Sequence, residues 1–286
     1  MVDGPVLVTG ALGNVGAATI VALQAAGIAV RGGHLGVEAV AQRFPEIEPV
    51  RLDFLDDTTF APALRGCSAL FLLRPPPISK MKPTLNRLID VAADLGVGHV
   101  VFSSVAGADT NRIVPHHRVE THLRASGLGW TILRPGFFAQ NFGDAYRLDI
   151  TEENRVYVPA GDGRVAFVDV RDLGEVAAAV FQHPEDHAGV GYTLTGPQAV
   201  TFTEAAAALT EVVGRTIRYE PATIPGYFGH LRRRSLPVVQ AVVQTVLHAG
   251  LRRGDAETVD LTVDRLLGRP ARPIDVYFRD HADLWT

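Results

Sequence analysis

Near the amino terminus, Gly10-Ala11-Leu12-Gly13-Asn14-Val15-Gly16 brings three glycines together at GxxGxxG spacing. Glycine lets a chain turn at positive φ and lets backbone N–H groups approach an anion without a side chain between them. Such a loop between a strand and a helix is suited to cradling a pyrophosphate. The spacing differs from the GxGxxG dinucleotide fingerprint, so its weight comes from its place in the chain. Asp53, in RLDFLDD, is of a type to accept from an adenine amino group with Phe54 beside the ring, although a strand-end or capping aspartate has the same sequence. His116 and His117 offer the side chains whose ordinary pKa lies nearest neutrality, so they are the candidates for a general acid; adjacent histidines after Pro115 also suit a plain polar helix start. Glu120, in the same segment, reads as a solvated or helix-pairing carboxylate.

The elements that must position these groups follow from periodicity. Val6 begins a β-branched run, Asn14 to Ala26 reads as a helix stopped at Gly27, and Ile28 to Gly32 as a strand. A helix over Val37 to Phe44 follows, then strands over Glu48 to Phe54 and Ala69 to Leu73, the latter halted by Arg74-Pro75-Pro76-Pro77. Ser79 to Leu95 reads as helix, His99 to Ser103 as strand, Pro115 to Ala125 as helix and Trp130 to Leu133 as strand. Alternation at this interval predicts an α/β fold, a doubly wound Rossmann-type parallel sheet. Beyond Pro135 the rhythm changes. Helices near Asp172 to Phe181 and Thr203 to Val213 alternate with short strands near Val165 and Tyr192, and Ile224 to Gly254 reads as helical. The expected organisation is a dinucleotide-binding core over 1–150 and a smaller, partly helical substrate-side region over 151–286, interleaved with late sheet strands.

Composition narrows the function. With 27 basic and 31 acidic residues the net charge is −4, which argues against a nucleic-acid groove. One cysteine, Cys67, excludes a disulfide framework and a cysteine-based zinc site, and no metal site is read. No apolar run is long enough to span a bilayer and no signal peptide is visible, so a cytoplasmic protein without membrane contacts is the expectation.

The motifs VTGALGNVG, LDF at Asp53, FSSVAGA from Phe102, SGLGWTILRPGFFAQNF from Ser126, VAFVDVRDLGEVAA from Val165, YTLTGP from Tyr192 and the closing LLGRPARPIDVYFRDHADLW occur in that order. Together they resemble the NmrA-like group of atypical short-chain dehydrogenases/reductases over nearly the whole chain. The resemblance implies binding of NADP or NAD. Gly10, Leu12, Gly13, Asn14, Val15 and Gly16 would hold the pyrophosphate, and Asp53 and Phe54 the adenine. Leu73, Arg74 and Pro75, with Ser103 and Ser104, would lie near the ribose and nicotinamide, with Pro135, Gly136, Phe137 and Phe138 closing over the nicotinamide end.

Two departures stand out. The Tyr-x-x-x-Lys pair of the wider superfamily is absent: the only lysines are Lys80 and Lys82, preceded four residues earlier by Pro76 and Ile78. Matching the VETHLRASGL helix sets Arg112 and His116 in the tyrosine and lysine places, so His116 would inherit the hold on the nicotinamide ribose. Second, Leu35 stands where many relatives carry an arginine for the 2′-phosphate of NADP. Arg31 and His34 are the remaining candidates there, and the choice between the two cofactors stays open.

The function these residues imply is an NAD(P)H-dependent reductase passing hydride to a small organic acceptor. Without the tyrosine, a quinone, enone or imine suits better than a simple ketone. Phe137, Phe138, Gln140 and Asn141 are the candidate substrate residues, while Phe142 reads as core. The same residues also suit a redox-sensing regulator without turnover, or a nicotinamide-assisted isomerase or cyclase. The run Leu231-Arg232-Arg233-Arg234 reads as a partner surface, a clamp for an acidic group or a solvated helix face, and a homodimer or protein partner stays open.

Overall fold

The computed structural model describes residues 2–76 and 78–286; Pro77, in the expected proline turn, lies outside the described residues. The described chain divides into two compact units that interleave in sequence. The first comprises Met1–Pro135, Val170–Leu194 and Thr262–Arg269, and the second Gly136–Asp169, Thr195–Leu261 and Pro270–Thr286.

The first unit is a seven-stranded parallel sheet. Six strands are β1 (Val6–Thr9), β2 (Val30–His34), β3 (Glu48–Arg51), β4 (Ala69–Leu73), β5 (His99–Ser103) and β6 (Gly129–Pro135). Their spatial order is β3-β2-β1-β4-β5-β6, and the strand Val190–Leu194 adds to β6. Sequence order reverses between β1 and β4, and at such a switch point the crevice beyond the strand carboxyl ends receives ligands. The central strands are covered on both faces, as parallel sheets require, so VLVT and ALFLL are almost wholly buried apolar runs. Helix α1 (Asn14–Ala25) packs closely on the helix Val170–Gln182: a Cβ at Gly174 would stand 2.7 Å from the Ala18 carbonyl oxygen.

Several boundaries differ from the sequence reading, each for a local reason. The second strand starts at Val30 because the Ile28 N–H is still closing α1 on the Leu23 carbonyl. β3 stops at Arg51 because Asp53 turns the chain, its carboxylate accepting from the Leu55 N–H. The expected helix from Ser79 begins instead as a π turn over Lys82–Asn86 and becomes α-helical over Arg87–Asp94. Pro83 supplies no N–H there, and the Asn86 N–H reaches back five residues to Met81. The stretch from Ile224 is two helices, Ile224–Arg233 and Val238–Gly250, separated where Ser235 takes φ +64° just before Pro237.

The second unit is organised around an aromatic core. Phe142 touches Tyr146, Phe167, Phe202 and Phe278 with ring centroids 5.0–6.1 Å apart, and its carbonyl accepts from the Trp285 indole N–H at 3.0 Å. A parallel pair joins Arg155–Val158 to Arg218–Pro221, and Thr201 and Glu204 close a capping box on the helix Phe202–Val213.

Candidate active site

The glycine loop occupies the turn from β1 into α1. Gly10 sits at φ +65°, a conformation glycine alone adopts without cost. Gly16 is fixed by packing: an added Cβ would lie 2.2 Å from the Gly10 carbonyl oxygen. Gly13 is different. It caps α1 at φ −77°, and a Cβ there would meet only the Gly10 oxygen, at 3.4 Å. The protein itself would therefore tolerate a side chain at Gly13, and glycine leaves room in front of the helix. No side chain caps α1 and no acidic residue lies in its first turn. That end carries the partial positive charge of the helix and suits an anion.

The carboxyl end of β4 meets this loop. The Leu73 N–H donates to Thr9 Oγ1 at 2.8 Å, and Leu73 borders Gly10, whose added Cβ would lie 3.4 Å from Leu73 Cδ1. Arg74 ties down the proline segment, donating to the carbonyls of Pro75, Pro76 and Ile78, while its Nε–H donates to His116 Nε2 at 3.3 Å. Burial lowers the Arg74 pKa from its ordinary value.

His116 is buried, stacks on Phe102 at 6.0 Å, and has its pKa pushed down to about 4, by burial first and the Arg74 charge second. It is therefore neutral at pH 7. This corrects the reading of His116 as a group that titrates near neutrality. Because Nε2 accepts from Arg74, the proton of the neutral ring sits on Nδ1, and that buried N–H has no partner among the described residues. A buried donor left unmade is costly, so a ligand acceptor there has a physical rationale. His117 points elsewhere, its Nδ1–H donating to the Ala108 carbonyl at 2.8 Å, and Arg112 is exposed.

Glu120 overturns the solvated reading and keeps the helix-pairing one. It is wholly buried, accepts from Ser104 Oγ at 2.6 Å, receives a two-pronged contact from Arg134 at 3.0 and 2.8 Å, and pairs with Arg124 one turn on. Burial alone would raise its pKa, but hydrogen bonds from Arg134 and Ser104, with both arginine charges, hold it below the ordinary value. Ser104 is thereby fixed beside Ser103 at the end of β5. Gly191 makes space for the arginine, since a Cβ there would stand 2.6 Å from the guanidinium.

On the adenine side, Asp53 is half-buried, bonded to the Leu55 N–H and 3.7 Å from Arg51. Phe54 is buried, with its ring against Phe60. Arg31 is spent on structure: it donates to the Ala63 and Arg65 carbonyls and pairs with Glu48 at 2.7 Å. His34 Nδ1 accepts from the Gly36 N–H. A cation that does reach the glycine loop is Arg43, donating to the Leu12 carbonyl at 2.9 Å. Sequence reasoning missed it, since no motif marks a residue at the end of a short helix.

In the second unit, Phe137 and Phe138 are half-buried, and Phe137 stands edge-on to His248 at 5.6 Å. Gln140 is buried and donates to Asp169 at 3.1 Å; the Asn141 side chain bonds Tyr146. Behind Phe137, the Tyr146 hydroxyl donates to His248 Nε2, whose other ring nitrogen donates to the Gln244 carbonyl. Nothing in the sequence pointed to that dyad, whose members lie 102 residues apart. The arginine run divides: Arg232 and Arg233 are exposed, while Arg234 clamps Asp149, Glu152 and Glu153. Among the described residues no helix is long and apolar enough to cross a membrane.

The family model described as NmrA-like matches residues 3–263. An NAD(P)H azoreductase of Xenophilus azovorans is 31% identical over 97% of this chain and 98% of its own. A (4-alkanoyl-5-oxo-2,5-dihydrofuran-3-yl)methyl phosphate reductase of Streptomyces griseus is 33% identical over 98% of this chain and 99% of its own. The crystal structure of an NADPH-dependent quinone oxidoreductase from Escherichia coli in complex with NADPH superposes with a TM-score of 0.83 at 26% identity, covering 96% of this chain and 99% of that one.

Proposed function

Because the chain belongs to the NmrA-like family, we propose that it is an NAD(P)H-dependent reductase that delivers hydride to a small organic acceptor. The observation that carries this reading is the buried His116 N–H, without a partner among the described residues and in contact with Arg74 just beyond β4, together with an uncapped, acid-free helix N-terminus behind Gly13. Bound reduced nicotinamide supplies the hydride. The glycine loop and the α1 amino end would hold the pyrophosphate, and His116 Nδ1–H would donate to the cofactor's ribose. Asp53 would take the adenine side, while Leu73, Arg74, Pro75, Ser103 and Ser104 would form the wall toward the nicotinamide.

The same residues limit the acceptor. The tyrosine–lysine proton donor is missing, and His116 is neutral at pH 7 with its proton committed to hydrogen bonding. Acceptors whose hydride adduct is a stabilised anion, or which already carry positive charge, need no strong acid in the transition state. Quinones, conjugated enones, azo compounds and iminium ions fit, and simple ketones do not. Nicotinamide oxidation followed at 340 nm with a quinone, an azo dye, an enone and an unactivated ketone tests this. Turnover with one or more of the first three and none with the ketone is expected. A ketone reduced as fast as a quinone would defeat the reading.

A further inference from the structure

The helix Val238–Gly250 is built inside out. Its buried residues are Ala241, Thr245, His248 and Gly250, with Gln240 and Gln244 half-buried, so the small and polar side chains face the protein. Its outer face carries Val238, Val239, Val242, Val243, Val246 and Leu247, between 46% and 75% exposed. Paired at intervals of four, these six form one continuous aliphatic stripe along the helix. A helix meeting only water shows the opposite pattern. From Val238 to Leu251 there is no charged residue.

We propose that this stripe is the contact face between two copies of the chain, packed about a two-fold axis near Val242 and Val243. Three observations select a second copy. The stripe is uncharged and made of similar side chains throughout, so it is complementary to itself and brings no like charges together. It exposes on the order of 500 Å² of aliphatic surface, beyond what scattered surface residues explain. Two copies face to face would remove about 1,000 Å² in total from water, the lower bound of a specific interface. Two-fold pairing also runs the helices antiparallel. That sets exposed Arg232 and Arg233, ahead of the helix, toward exposed Asp255 and Glu257 beyond its end. At that far end Arg252 is held on the Pro159 and Ala222 carbonyls and Arg253 is paired with Asp255, while among the described residues no ion pair engages Glu257. A lipid surface is the poorer fit: the stripe has no aromatic residue or lysine to seat it at an interface.

Sedimentation velocity on the full chain tests the proposal. The wild type is expected to sediment as a dimer at micromolar concentration. The Val239→Asp/Val243→Asp variant, altered only at exposed positions, is expected to sediment as a monomer with its far-UV circular dichroism unchanged. Val243→Cys is expected to cross-link two copies on mild oxidation, because Cys67, the chain's own cysteine, is buried. A wild type that stays monomeric, a double aspartate variant that stays dimeric, or a Val243→Cys protein that does not cross-link overturns the proposal. So does a monomeric wild type that pellets with phosphatidylglycerol vesicles while the aspartate variant stays in solution.

Discussion

Gly13 and Gly16 look equivalent in the sequence motif and do different work. Gly16 lets α1 approach the Gly10 carbonyl, where a Cβ would collide at 2.2 Å, so Gly16→Ala is expected to destabilise the fold by about 1–3 kcal/mol. Gly13 meets no comparable obstacle, so Gly13→Val is expected to leave the thermal midpoint within a few degrees while weakening NAD(P)H at least about tenfold, or 1.4 kcal/mol. Thermal melts and cofactor titrations of both variants separate the two roles; equal affinity losses with equal stability losses would contradict this assignment. The motif was legible because backbone demands are written in residue type. The state of His116 was not: it depends on the Arg74 contact, 42 residues away in sequence, and on burial under Phe102.

Among the elements, buried charge fixes the carboxyl end of the sheet, where the proposed site lies. The Glu120–Arg134 pair fastens the helix Pro115–Arg124 to β6, and through Ser104 to the end of β5. Arg134→Met leaves Glu120 buried with only Ser104 and Arg124 as partners, and breaking a buried pair in this way costs about 3–5 kcal/mol. Denaturant unfolding is expected to show that loss, with a partial recovery in Arg134→Met/Glu120→Gln; a single variant as stable as wild type would mean the pair holds nothing. Strand and helix order was readable because parallel strands are continuous apolar runs and glycine or proline ends each one. The breaks that differed, at Ile28, Asp53, Pro83 and Ser235, come from hydrogen bonds and turn geometry that hydrophobic periodicity does not encode. Arg134 lay within the LRPGFF motif, yet its partner Glu120 read as either a solvated or a helix-pairing carboxylate, since burial is a property of the packed fold.

For the whole molecule, three of the four histidines buried among the described residues shape the response to acid. His99, His116 and His248 are each lowered from 6.5 to about 4, with burial the largest cause in every case. The unfolded chain therefore binds protons that the folded chain refuses between those values. The stabilisation is complete above pH 6.5 and is lost as pH falls toward 4, by about 2–3 kcal/mol for each histidine. Glu120 and Asp149, both held below their ordinary values by arginine or histidine partners, act in the same direction further down. A thermal midpoint that falls steeply between pH 6.5 and 4.5 is expected, and a flat profile would contradict the burial of these rings. The central claim, that the glycine loop and His116 form a nicotinamide dinucleotide site, is tested most directly by calorimetric titration of wild type and His116→Phe with NADPH and NADH. Wild type is expected to bind at least one of them, and His116→Phe, which removes the unpartnered N–H, to bind about tenfold more weakly. A wild type that binds neither, or a variant that binds as tightly as wild type, would contradict it.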